Sequence, residues 1–171
     1  MILDKLAAID TFIFDVDGVF TTGTVLATND GEMLRDFNIK DGFALQFAVK
    51  QGYTIIIISG GNNEGVRKRL KGLGVKEVHT AVSDKRSLLK DLVAKYKLDL
   101  DNALYMGDDY PDLSVMRMCG VAATPSDGAW EVQEAADYIA KLPGGKGAVR
   151  EVIEKVLTLQ DKWESSEHSV W

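Results

Sequence analysis

Residues 9–18 read IDTFIFDVDG, an apolar run rich in Ile and Phe that ends in two aspartates set two positions apart. Apolar residues without alternation are the pattern of a strand buried on both faces. Asp is disfavoured in strands, so Asp15 and Asp17 mark the point where the chain leaves the sheet, and some function must offset their presence there. Similar short runs recur at 53–59 (YTIIIIS), 77–82 (EVHTAV), 103–108 (ALYMGD) and 120–124 (GVAAT). Between them lie segments with helical start and stop signals: 41–51 before Gly52, 63–73 before Gly74, then 84–96, 112–118 and 126–136. Alternation of strand and helix predicts a doubly wound, Rossmann-like α/β fold, its sheet mainly parallel and covered by helices.

One segment departs from the alternation. Residues 21–38 hold two extended stretches around Asn29-Asp30-Gly31, a hairpin turn signal, which places a β-hairpin flap just after the first strand. At the other end PGGKGAVREVIEKVLTLQDKW (143–163) opens with a Gly-rich loop and continues as an amphipathic helix. Residues 1–163 therefore read as one domain and 164–171 as a tail without fixed structure. The chain has 171 residues and a net charge of −6, which gives no field for a nucleic-acid backbone. Its greasiest run, 53–59, is too short to span a bilayer, and no export signal is visible. The single Cys119 allows no internal disulfide, as suits a cytoplasmic protein. His79 and the Met residues read as structural.

In open α/β sheets ligands bind outside the carboxyl ends of the strands. Asp15 and Asp17 end the first strand, Ser59 the second, and Asp108 and Asp109 the fourth, while a helix starting near SDK (83–85) brings Lys85 towards the same rim. Such a cluster suits phosphoryl transfer through an aspartyl-phosphate. Asp15 is the expected nucleophile, and Asp17, two residues on in extended backbone, the expected general acid and base. Asp15 and Asp108, with the backbone carbonyl of Asp17, are the expected ligands of Mg²⁺, a hard cation suited to carboxylates and phosphate. Ser59 and Lys85 would bind the remaining phosphoryl oxygens.

DVDG (15–18), ISG (58–60), SDK (83–85) and GDDYPD (107–112), in this order and at strand ends, resemble the four motifs of the haloacid dehalogenase-like phosphatases. FNIKDG (37–42), VRKRL (66–70) and GGKGAVRE (144–151) further resemble the 3-deoxy-D-manno-octulosonate 8-phosphate and nonulosonate 9-phosphate phosphatases. The intervals 18–58 and 60–84 hold no cap domain beyond a hairpin or helix. The resemblance implies a homotetramer in which flap hairpins associate and Gly-rich loops cover a neighbour's site, excluding water. It also implies that Asn38, Ile39, Lys40, Asp41 and Gly42 line the pocket for a small anionic sugar phosphate, with Arg69 reaching the sugar carboxylate. Gly60, Asp109 and Asp112 fall within the motifs and are counted with the substrate contacts, although Asp112 also reads as a helix cap. Gly144 and Gly145 precede a helix, where bare N–H groups could meet an anion beside Lys146. Two positions depart from the pattern: Gly61 stands where the octulosonate enzymes usually carry Arg, and Thr22 where Asp is common. The expected activity is Mg²⁺-dependent hydrolysis of octulosonate 8-phosphate, with a nonulosonate 9-phosphate or another small sugar phosphate as the alternative. From other classes, a phospho-accepting receiver would place its Lys near the last strand, and an inactive oligomeric scaffold would show no turnover.

Overall fold

A computed structural model describes residues 1–163; the expected tail, 164–171, lies outside the described residues. Along the chain run α1 (Ile2–Ala7), β1 (Thr11–Phe14), β2 (Leu26–Ala27), β3 (Met33–Leu34), α2 (Ile39–Lys50), β4 (Thr54–Ile58), α3 (Glu64–Gly72) and β5 (Glu77–His79). Then come α4 (Lys85–Tyr96), β6 (Ala103–Met106), α5 (Leu113–Met116), β7 (Val121–Thr124), α6 (Trp130–Ala135), β8 (Tyr138–Ile139) and α7 (Ala148–Leu159). Six strands form one parallel sheet in the order β5-β4-β1-β6-β7-β8, and β2 pairs with β3 as a separate antiparallel hairpin.

β1 is central because its residues are apolar on both sides. Phe12 and Phe14 face the layer of α1, α2, α3 and α7, where Leu45, Leu70, Val152 and Val156 pack. Ile13 faces the other layer beside Ile56 of β4 and Tyr105 of β6, where Leu89 of α4, Val115 of α5 and Val132 of α6 pack. The chain visits β4 and β5 on one side of β1, then crosses to β6, β7 and β8 on the other, so the topological switch lies between β1 and β6. Phe14 pairs with Ile57 and with Met106, which puts the residues after β1, β4 and β6 on one rim.

The structure corrects several expected bounds. The strand expected over 77–82 stops at His79, because Ala81 turns with φ 57° and gives its N–H to Gly61 O at 2.9 Å. The helix expected over 112–118 is a 3₁₀ turn, Tyr110–Asp112, followed by the short α5, and the one expected from 126 begins at Trp130. α2 starts at Ile39 because the Asn38 side chain caps it, accepting from Lys40 N at 2.8 Å. β8 is too short to have been read from sequence, and the flap strands are shorter than their extended stretches.

The Gly-rich loop differs most from expectation. Gly144 N donates to Asp127 Oδ1 at 2.9 Å, Gly145 N to Val19 O at 2.9 Å, Lys146 N to Pro143 O and Gly147 N to Asp41 Oδ2 at 3.2 Å. The expected bare N–H groups are therefore spent within the chain, and Gly144 and Gly145 are buried against Gly18 and Thr21. A Cβ on Gly145 would lie 2.6 Å from the Thr21 carbonyl carbon, so this close backbone crossing requires glycine.

Candidate active site

Asp15 follows β1 and extends its ladder, its N–H donating to Met106 O at 3.0 Å. Lys85, the first residue of α4, carries an ammonium that lies 3.0 Å from Asp15 Oδ1 and donates to Asp112 Oδ1 at 2.8 Å. Asp112 is 1% exposed and also accepts from Tyr105 OH at 2.6 Å and Asp108 N at 3.1 Å. A carboxylate this well satisfied is fixed in position. Gly18, with φ 81°, lets the loop after β1 fold over Asp108; a Cβ there would overlap the Asp108 carboxylate. Ser59 follows β4 and is nearly buried, with Oγ accepting from Gly61 N at 3.2 Å. Asp15, Asp17, Ser59, Gly60, Lys85, Asp108, Asp109 and Asp112 line a single cavity of about 590 Å³.

Burial and the charge of Asp112 push the Asp15 carboxyl up to about 6, against the opposing pull of Lys85. Burial, Asp15 and Asp112 push Asp108 up to about 7. Burial pulls Lys85 down, but Asp15 and Asp112 outweigh it and the ammonium ends above its ordinary value. Asp15 and Asp112 share one ammonium with Asp108 beside them, so carboxylates outnumber the positive charge in this cluster. Oxygens of Asp15, Asp108 and Asp112 lie within 4.8 Å of one another, an all-oxygen donor set suited to a hard divalent cation. Mg²⁺ fits these residues. Asp112 joins the set by its buried side chain, whereas the Asp17 carboxylate points elsewhere.

Asp17 is held by Arg35, a flap residue that sequence reasoning missed. Arg35 Nε donates to Asp17 Oδ1 at 2.7 Å and Nη2 to Oδ2 at 3.1 Å, a bidentate pair. Only the folding of the hairpin back over the rim brings them together, and nothing local in the sequence signals it. Tyr105 was missed as well, because a Tyr in a buried strand reads as core.

The expected sugar-binding residues lie outside this cavity. Ile39 is 67% exposed, and Asn38 donates through Nδ2 to Gly145 O at 3.4 Å. Lys40 lines a separate groove of about 830 Å³ with Lys141, Lys146 and Arg150 along α7. Arg69 covers Gly42, whose Cβ would meet Nη2 at 2.6 Å. Asp41 is buried, and its carboxylate accepts from Gly147 N at 3.2 Å and Arg150 N at 2.8 Å. In this chain the Asp41 carboxylate caps α7 from a distant element. Asp41→Ala should lower stability by about 1–3 kcal/mol, the cost of stranding buried donors, without raising KM. Denaturant unfolding alongside steady-state kinetics checks both, and a raised KM at unchanged stability would return Asp41 to the substrate.

A family model described as haloacid dehalogenase-like hydrolase matches residues 76–153. The chain is 34% identical to 3-deoxy-D-manno-octulosonate 8-phosphate phosphatase KdsC of Escherichia coli K12, over 94% of this chain and 86% of that one. It superposes on the phosphatase of the same name from Yersinia pestis with a TM-score of 0.92 and 32% identity, covering 95% and 88% of the two chains. It also superposes on the Moraxella catarrhalis enzyme, solved with a magnesium ion, a phosphate ion and a KDO molecule, with a TM-score of 0.91 and 33% identity over 95% and 94%.

Proposed function

The chain belongs to the haloacid dehalogenase-like hydrolases, on the branch of the octulosonate 8-phosphate phosphatases, and on that premise we propose that it hydrolyses 3-deoxy-D-manno-octulosonate 8-phosphate with Mg²⁺. The products are phosphate and the free sugar acid used to make lipopolysaccharide core. The observation that carries this reading is the placing of Asp15, Asp108, Asp112 and Lys85 at the β1/β6 switch, with Ser59 on the adjoining strand end.

The Asp15 carboxylate attacks phosphorus, and the bond from phosphorus to the sugar oxygen breaks. That oxygen takes its proton from Asp17. Asp17 then removes a proton from water, which attacks the aspartyl-phosphate, releases phosphate and restores Asp15. Lys85 keeps Asp15 oriented from 3.0 Å, and Ser59 offers its hydroxyl to a phosphoryl oxygen. Asp15, Asp108 and Asp112 would hold Mg²⁺, with the Asp17 carbonyl as the further expected ligand, and the ion would supply the positive charge that these carboxylates need before an anionic phosphate can approach.

The reading extends to a cytoplasmic homotetramer. Val25, Leu26, Met33 and Leu34 of the flap are between 44% and 67% exposed, an apolar surface that other copies would cover. Sedimentation should give the mass of four 18.8 kDa chains, and a monomer would remove this part. None of the helices among the described residues is long and apolar enough to cross a membrane.

The deciding experiment is phosphate release from a panel of sugar phosphates that includes octulosonate 8-phosphate and nonulosonate 9-phosphate, with Mg²⁺ and with chelator. Mg²⁺-dependent turnover selective for octulosonate 8-phosphate is expected. Preference for the nonulosonate would change the substrate only, and no turnover by folded, metal-loaded protein would overturn the reading.

A further inference from the structure

We propose that Arg35 is the positioning residue of the hydrolytic step: reaching in from the flap, it fixes the Asp17 carboxylate for proton transfer, and it does so through space that Gly61 leaves open. The inference rests on the phosphatase reading and deepens it.

The flap around Arg35 is exposed, yet the Arg35 side chain itself is only 11% exposed. Its guanidinium uses Nε and Nη2 on the two oxygens of Asp17, and Nη1 donates to Met33 O at 2.9 Å. Asn63, the N-cap of α3, donates to the same Met33 carbonyl at 2.8 Å. The flap is thus fastened twice, once to the loop after β4 and once to the residue that must give and take the proton. A fork with two parallel hydrogen bonds fixes both the rotamer and the plane of a carboxylate, which one ammonium cannot do.

Gly61 makes room for this arrangement. A Cβ there would lie 3.0 Å from Asp17 Oδ2, 3.5 Å from Arg35 Nη2 and 3.5 Å from Ser59 Oγ. A Cβ at 61 would already touch Asp17 and Arg35, so a larger side chain there would crowd the pair. The chain therefore carries its cation on the flap rather than on the loop after β4, so the seating of the flap on the rim and the alignment of Asp17 depend on the same side chain.

A residue that aligns a proton donor matters most when the leaving group needs a proton. Arg35→Gln should reduce kcat about 100-fold on the sugar phosphate turned over best, and much less on 4-nitrophenyl phosphate, whose phenolate leaves with little protonation. Arg35→Lys should fall between, and Gly61→Leu should reproduce the same asymmetry with Arg35 intact. Thermal unfolding of each variant confirms that it is folded. Equal losses on both substrates would mean that Arg35 binds the phosphoryl group instead, and a lowered melting temperature with unchanged kcat would make it merely structural; either result overturns the proposal. If wild type hydrolyses neither substrate with Mg²⁺, the phosphatase reading fails and takes the inference with it. Turnover by wild type with symmetric losses sinks the inference alone.

Discussion

Asp15→Asn is expected to abolish turnover while leaving the protein folded. The substitution keeps the shape of the side chain and removes the oxygen nucleophile, so no aspartyl-phosphate forms. Loss of a nucleophile costs on the order of 10⁴-fold or more in kcat. The surroundings argue that stability does not suffer. Asp15 is 8% exposed and shares one ammonium with Asp112, and burial pushes its carboxyl up to about 6, so its ionisation costs the native state free energy near neutral pH. Asn removes that cost, and Lys85 keeps its bond to Asp112 at 2.8 Å. Phosphate release at pH 8 with Mg²⁺ checks the first half, and thermal unfolding at pH 8 with chelator checks the second. Activity within about tenfold of wild type would take Asp15 out of the nucleophile role. A large fall in melting temperature would show instead that the Lys85 pair supports the fold.

Much of this site was legible because it depends on local signals. Phe12, Ile13 and Phe14 alternate between two buried layers, so an unbroken apolar run already specifies a central parallel strand, and the aspartates after it fall on the rim by geometry alone. Lys85 could be placed because Asp84 caps α4 immediately before it, accepting from Ser87 N at 2.9 Å. The illegible parts are contacts between distant segments. Asp41 reads as a pocket-lining residue at the start of a helix, and nothing local signals that its carboxylate caps α7, more than 100 residues away. Asp112 reads as the cap of a short helix, whereas burial turns it into the hub that joins Lys85, Tyr105 and the Asp108 backbone. The Gly-rich loop advertises free N–H groups, but each of Gly144, Gly145 and Gly147 meets an acceptor supplied by another element. Arg35 meets Asp17 only because the hairpin folds back over the rim.

Stability without metal is expected to fall from pH 5 to pH 8, and Mg²⁺ is expected to cancel the fall. Asp15 rises from 3.8 to about 6 and Asp108 from 3.8 to about 7. Between about pH 4 and 7 the native protein therefore holds protons that the unfolded chain has lost. Unfolding releases them, so raising the pH through this window favours unfolding, and the loss is complete above pH 7. Asp41, raised by burial, acts in the same direction. Glu77 lies below its ordinary 4.5, so its contribution is lost only as pH falls beneath that value, outside the window. Lys85, held above its ordinary 10.5, keeps its contribution throughout. A divalent cation binds the ionised carboxylates and must displace their protons, so its stabilisation is small at pH 5 and large at pH 8. In chelator the melting temperature should drop by several degrees over this range, since about 1 kcal/mol moves the midpoint of such a domain by roughly 2–4 °C. Asp108→Asn should flatten the profile in chelator and remove most of the Mg²⁺ increment, because it deletes the most strongly raised carboxyl of the cluster and one of its oxygen donors. A Mg²⁺ increment of equal size at pH 5 and pH 8 would place the ion elsewhere, since only ligands that titrate within the window make its stabilisation depend on pH there.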